Sequence, residues 1–227
     1  MAGWKYSLIK ALQRPLPGEK AHLLMAPSIR YTGSGTPDAA SARDSSVLIL
    51  LYPKQKRWTI PFIQRPNYKG VHGGQVSLPG GKYETIDSTS WETALRETRE
   101  ELGIKTDKIQ FLGKLTNLYI PNSNFLVHPY IGYLPYRPNF HPCPYEVSEI
   151  LEIPVQALFY GADHPKTLEI TINNHKVVAP CFNWNGHTLW GATAMIMNEL
   201  NIIFRENMPQ WANSLHSYND YTSPESP

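Results

Sequence analysis

Glu97, Glu100 and Glu101 are the residues whose type and spacing most directly suggest chemistry. They follow Arg96 in the run Arg96-Glu97-Thr98-Arg99-Glu100-Glu101-Leu102-Gly103. At about 100° per residue on a helix, the three carboxylates share one side. Trp91, Leu95 and Leu102, with Ala94 and Thr98 beside them, form a second side that should bury. Glu92, Arg96 and Arg99 form a third, self-compensating face that should be solvated. Carboxylates at i, i+3 and i+4 repel by a few tenths of a kcal/mol per pair on an exposed helix. A hard divalent cation reverses that sign: Mg²⁺ accepts a few carboxylates and keeps positions for water and phosphate oxygens. Arg96, four residues before Glu100, could fix its rotamer from behind. Taken alone, the triplet is better explained as an ordinary solvated helix with clustered acids. The glycine-rich lead-in of the stretch Gly80 to Ile104, GGKYETIDSTSWETALRETREELGI, turns the balance toward a site.

This stretch resembles the Nudix box, whose consensus is Gly, five residues, Glu, seven residues, then Arg-Glu-apolar-x-Glu-Glu-x-Gly-apolar. Arg96 to Ile104 match the second half, with Thr98 in the apolar slot. Gly81 and Asp87 match the first half, with Asp for Glu and one extra residue before Arg96. That register, with Gly80-Gly81-Lys82 and Thr93-Ala94-Leu95-Arg96-Glu97, is similar to the coenzyme A pyrophosphatase branch of the family. Arg65, Gly74 and Leu78-Pro79-Gly80-Gly81 keep the spacing of that branch's upstream motif. Ile63, Pro66, Gly70 and Leu78 depart from it, and Lys69 is a candidate for the charge absent at Gly70.

The resemblance covers about residues 45 to 203. It implies hydrolysis of a nucleoside diphosphate derivative, coenzyme A favoured as the small-molecule partner, with Mg²⁺ or Mn²⁺ as cofactor. By the same resemblance, Glu97, Glu100 and Glu101 would hold metal with the Gly81 carbonyl, and Glu100, Glu101 or the late-loop Glu149 would act as base. Arg65 and Lys82 are candidate phosphate contacts, although an exposed salt bridge would explain either. Glycines at 70, 73, 74, 80 and 81 would let backbone approach phosphate. Asp87 is read as a brace of the loop before the helix, not a metal ligand. ADP-ribose, a dinucleotide or a nucleoside triphosphate is the alternative substrate. A binding protein that has lost catalysis is the other alternative, weakened by the intact acidic triplet.

The elements that must position these residues can be read from pattern. Thr89 to Leu102 is the best helix, with a Thr89-x-x-Glu92 capping box and Gly103 as its stop. Ser46-VLILLY-Pro53 reads as a strand buried on both faces, and Trp58 to Arg65 as its partner. Strand-like pieces follow in IQFLGKLTNLYI, NFLVHPYIGYL and EVSEILEI, then a helical turn opened by Pro154. LEITINNHKVVA suggests a hairpin turning at Asn173-Asn174, and Trp190-GATAMIMNELNIIF a second helix. The expected architecture is α/β, the Nudix α/β/α sandwich with a mixed sheet between helices. Residues 1–45, with a short helix at Trp4 to Gln13, read as an extension and loop, 46–204 as the domain, and 205–227 as a polar tail.

Composition narrows the class. The 227 residues carry 21 Lys and Arg against 19 Asp and Glu, so a net charge of +2 sets up no field for nucleic acid or an anionic membrane. Twenty prolines argue against a purely helical fold. No apolar run is long enough to span a membrane, and the opening MAGWKYSLIKALQRPLPG does not read as a secretory signal. Cys143 and Cys181 lack a zinc spacing and read as two unrelated buried thiols. The expectation is a cytoplasmic protein, with a homodimer as a possible assembly.

Overall fold

The computed structural model describes residues 3–28, 41–67, 73–160, 166–172 and 175–208. Along the chain run helices α1 (Gly3–Leu12) and α2 (Glu19–Leu23), then strands β1 (Arg43–Lys54), β2 (Arg57–Gln64), β3 (Val76–Ser77) and β4 (Gly80–Lys82). Helix α3 (Ser90–Leu102) precedes β5 (Gln110–Lys114), β6 (Leu118–Ile120), β7 (Phe125–Tyr133) and β8 (Glu149–Pro154). Helix α4 (Val155–Tyr160), strands β9 (Lys166–Ile172), β10 (His175–Trp184) and β11 (His187–Trp190), and helix α5 (Gly191–Asn207) complete the order.

The central mixed sheet has the order β3-β2-β1-β7-β5, with β4 on β1, β6 on β7 and β8 on β2. Strands β1 and β7 are parallel, from Arg43 opposite Phe125 to Leu51 opposite Tyr133; the other pairings are antiparallel. A parallel pair buried on both faces needs a continuous apolar run, and VLILLY supplies it. Leu48, Leu50 and Tyr52 join Ala94 and Leu102 in the core beneath α3. Ile49 and Leu51 point the other way, into a larger core with Phe62, Phe159, Leu200 and Phe204. These two cores are the two halves of the expected sandwich. Strands β9, β10 and β11 form a separate three-stranded sheet. In it β9 and β10 pair as the hairpin pattern suggests, with Ile172 opposite His175; the turn Asn173-Asn174 itself lies outside the described residues.

The stretch before residue 46 enters this core. Trp4, Leu8, Ala11 and Met25 are buried in the larger core cluster, and the Trp4 ring lies 4.4 Å from that of Trp58. Gly113 makes room for it: a Cβ there would come within 2.7 Å of Leu12 Cδ1. Helix α2 is tied to α5 by a buried acid, Glu199. Its carboxylate accepts from His22 Nε2 at 3.0 Å, Gly18 N at 3.0 Å and Thr116 Oγ1 at 2.7 Å. The polar tail beyond Met208, like Lys69 and Gly70, falls outside the described residues. Cys143 and Cys181 are both free thiols; Cys181 is buried and Cys143 half-buried.

Candidate active site

Helix α3 is built by local chemistry at both ends. Thr89 stands at the N-cap and its Oγ1 accepts from Glu92 N at 3.2 Å, while Glu92 Oε2 accepts from Ser88 N at 2.8 Å. These bonds satisfy amides that a helix start otherwise leaves unpaired. Gly103 ends the helix at φ 63, donating its amide to Arg99 O. A Cβ there would meet His141 O at 1.9 Å, so both conformation and space demand glycine.

The solvated face expected for Arg96 is corrected. Arg96 is buried and is the hub of the site. Its Nε and Nη2 donate to Asp87 Oδ1 and Oδ2 at 2.9 and 3.0 Å, and Nη2 also reaches the Lys82 carbonyl at 2.9 Å. Its Nη1 donates to Glu97 Oε1 at 3.0 Å and Glu100 Oε2 at 2.9 Å. The helical wheel misplaces Arg96 because the loop from Lys82 to Asp87 folds over that side of α3. Asp87 is buried and its Oδ2 also accepts from Glu84 N at 3.0 Å, closing the loop before the helix. The Arg96 guanidinium holds the Asp87 carboxyl down at about 2, and Asp87 in turn raises the guanidinium pKa.

The three acids differ in surroundings. Glu101 is 3 % exposed; its Oε2 accepts from Gly80 N at 2.8 Å and its Oε1 lies 3.6 Å from Arg65 Nη2. Burial pushes its carboxyl up to about 8, against the pull of the Gly80 amide and Arg65. Burial also raises Glu97, against Arg96. Glu100 is half-exposed. Among the described residues, no three acidic, imidazole or thiol side chains enclose an ion as they lie. Arg96 draws Glu97 and Glu100 to itself, and the Gly80 amide holds Glu101.

The donor set nevertheless suits a hard cation. Glu97 and Glu101 are carboxylates that burial opposes ionising, and a nearby cation would reverse that. Gly81 supplies the space: a Cβ on it would fall 2.4 Å from the Glu97 carboxyl carbon, so only a bare backbone lets this acid lie against β4. Gly80 is equally constrained, since its Cβ would sit 2.2 Å from Ser46 O. Gly74, at φ 69, turns the chain between Arg65 and β3, where Arg65 N donates to Gln75 O. Arg65 thus reaches Glu101, whereas the Lys82 side chain is exposed and its carbonyl accepts from Arg96.

Glu149 opens β8 with its side chain half-exposed, 3.7 Å from His187 Nε2. A second late-loop acid, Glu146, adds to the burial that raises both Glu97 and Glu101. It rides on the turn in which Val147 N donates to Cys143 O, and that turn is pinned to the end of α3 by Cys143 N on Glu101 O. The sequence signal for this acid is the run Glu146-Val147 leading to Glu149, which shares in the family resemblance.

Comparison with known proteins follows the same lines. The family model described as the NUDIX domain matches residues 42–170. A protein of Photorhabdus laumondii named "Uncharacterized Nudix hydrolase NudL" is 35% identical over 160 residues, 70% of this chain and 83% of its own length. Its namesake in Klebsiella pneumoniae is 32% identical over 164 residues, 71% of this chain and 83% of that one. Among solved structures, a MutT/nudix family protein from Enterococcus faecalis shares the fold at TM-score 0.51 and 15% identity, over 95% of this chain and 79% of that one. A domain match across more than half of the chain, with relatives at this level of identity, shows that the chain belongs to the Nudix family and is a Nudix hydrolase.

Proposed function

We propose that the chain hydrolyses the diphosphate bridge of coenzyme A or its thioesters, yielding 3′,5′-ADP and 4′-phosphopantetheine or its acyl form. The observation that carries the hydrolytic part is the pair of acids, buried Glu101 and part-buried Glu97, set against the bare backbone of Gly80 and Gly81. The substrate rests on sequence: the register from Asp87 to Arg96, with Arg65, Gly74 and Leu78-Pro79-Gly80-Gly81 upstream. The two free thiols fit a cytoplasmic setting.

Glu97, Glu100 and Glu101, with the Gly81 carbonyl, would hold the Mg²⁺ or Mn²⁺. Bound there, the metal supplies charge neutralisation at the bridging phosphates and a more acidic water. Arg96 is the positioning residue: anchored on Asp87, it holds Glu97 and Glu100 on the same side of α3. Arg65, beside Glu101, supplies a fixed positive charge for a phosphate oxygen. Water attacks phosphorus, the bridging P–O bond breaks, and the leaving phosphate takes its electron pair. Glu146 is exposed and its charge acts on Glu97 and Glu101, which makes it the candidate to take the water's proton.

A panel of coenzyme A, acetyl-coenzyme A, ADP-ribose, diadenosine polyphosphate and nucleoside triphosphates, with products separated by chromatography, tests this reading. Coenzyme A or its thioester should give the highest kcat/KM. Dominant ADP-ribose hydrolysis with inert coenzyme A would overturn the substrate. Glu100→Gln should lower turnover by at least a hundredfold with an unchanged circular dichroism spectrum; near-normal turnover would remove the metal assignment.

A further inference from the structure

Ser46 is a buried serine at the head of an otherwise apolar run, and its Oγ has no hydrogen-bond partner. A buried hydroxyl without a partner is costly to keep, so its position calls for a reason. Successive strand residues alternate faces, and Leu48, Leu50 and Tyr52 of β1 all lie in the core beneath α3. Ser46 therefore points to the α3 side as well. Across the β1–β4 ladder it is the direct partner of Gly81. Partners in an antiparallel pair face the same way, with Cβ positions about 4.5–5.5 Å apart.

The Gly81 Cβ position is the one that meets the Glu97 carboxylate, at 2.4 Å from its carbon and 2.4 and 2.5 Å from its oxygens. The orphan hydroxyl and this acid thus occupy the same side of the same pair of residues. Glu97 Oε1 is meanwhile engaged by Arg96 Nη1.

Building on the metal-dependent reading above, we infer that Ser46 is a positioning residue for Glu97: its hydroxyl donates to the carboxylate once Glu97 is turned to a divalent ion. The hydroxyl is unpaired here because Arg96 holds the acid. A serine fits the task because an aliphatic side chain would offer no donor beneath the acid.

Titration of the full chain with Mn²⁺, read by electron paramagnetic resonance of the free ion, tests the inference alongside thermal melting without metal. Ser46→Ala should bind Mn²⁺ about tenfold more weakly, the loss typical of removing a partner behind a metal ligand. Its metal-free melting temperature should be unchanged or higher, because the hydroxyl has no partner to lose. Ser46→Cys, of similar size but a weak donor, should behave like Ser46→Ala. Wild-type Mn²⁺ affinity in both variants, or a melting temperature lowered without metal, would overturn the role of the serine. Glu97→Gln separates the two readings: if it weakens Mn²⁺ binding while Ser46→Ala does not, only the serine's role fails. If neither the wild type nor any variant binds Mn²⁺, the metal-dependent reading fails and takes the serine's role with it.

Discussion

Arg96 joins the loop before the helix to the acids on it, and its substitution separates its two duties. Arg96→Ala leaves Asp87 buried and unpaired, which should cost about 3–5 kcal/mol in urea unfolding. Arg96→Lys keeps a charge but loses the two-pronged bond to Asp87, and should still lower turnover at least tenfold. Glu101 makes a pH prediction. Its folded pKa, about 8, lies above the unfolded value of 4.5, so between them the native state holds the extra proton. Stability of the metal-free protein should therefore fall as pH rises from about 4.5 to 8. Glu101→Gln should flatten that slope in denaturation curves taken across the range. A slope unchanged by the substitution would show that other groups set it. None of the burial behind these predictions can be read from a wheel diagram, which identifies the acids but not the loop that covers Arg96.

Helix α3 was the most readable element because its signals are local: Thr89 caps it, Gly103 stops it, and Ala94, Thr98 and Leu102 are buried against the sheet. Strand β1 was equally plain, as an apolar run too short for a membrane and too continuous for an exposed strand. What escaped the sequence depends on contacts across the chain. Glu146 acts electrostatically on Glu97 and Glu101 because the turn at Cys143 is fastened to Glu101 O, a bond no local pattern announces. The role of Gly81 follows the same logic, since only the structure shows what its missing side chain would strike. Gly81→Ala should push Glu97 off β4 and weaken Mn²⁺ binding at least tenfold in the same titration. Gly103→Ala, which forces an L side chain to φ 63 and against a carbonyl, should instead destabilise the fold by more than about 1 kcal/mol.

The N-terminal helices belong to the packing of the molecule as a whole. Glu199 and His22 are 177 positions apart, so their bond could not be anticipated from either neighbourhood. His22→Ala removes one donor from a fully buried carboxylate and should cost about 1–3 kcal/mol, measurable as a lower melting temperature. A chain begun at residue 42, where the family match starts, lacks Trp4, Leu8 and Met25 and should aggregate or melt well below the full chain. Cooperative melting at the wild-type temperature would show that the N-terminal stretch is dispensable.

The parallel pairing of Arg43 with Phe125 closes a connection of roughly eighty residues, and β4, α3 and every acid of the triplet lie inside it. Loops of that length form slowly, after their shorter-range neighbours. Isolated α3 can gain helical turns early in refolding, yet Gly81 has no fixed place opposite Ser46 until β1 has found its long-range mates. Competence for the reaction should consequently emerge with the last cooperative phase of refolding, lagging behind the recovery of helical signal, so that nascent chains remain inert until the final zipper is shut.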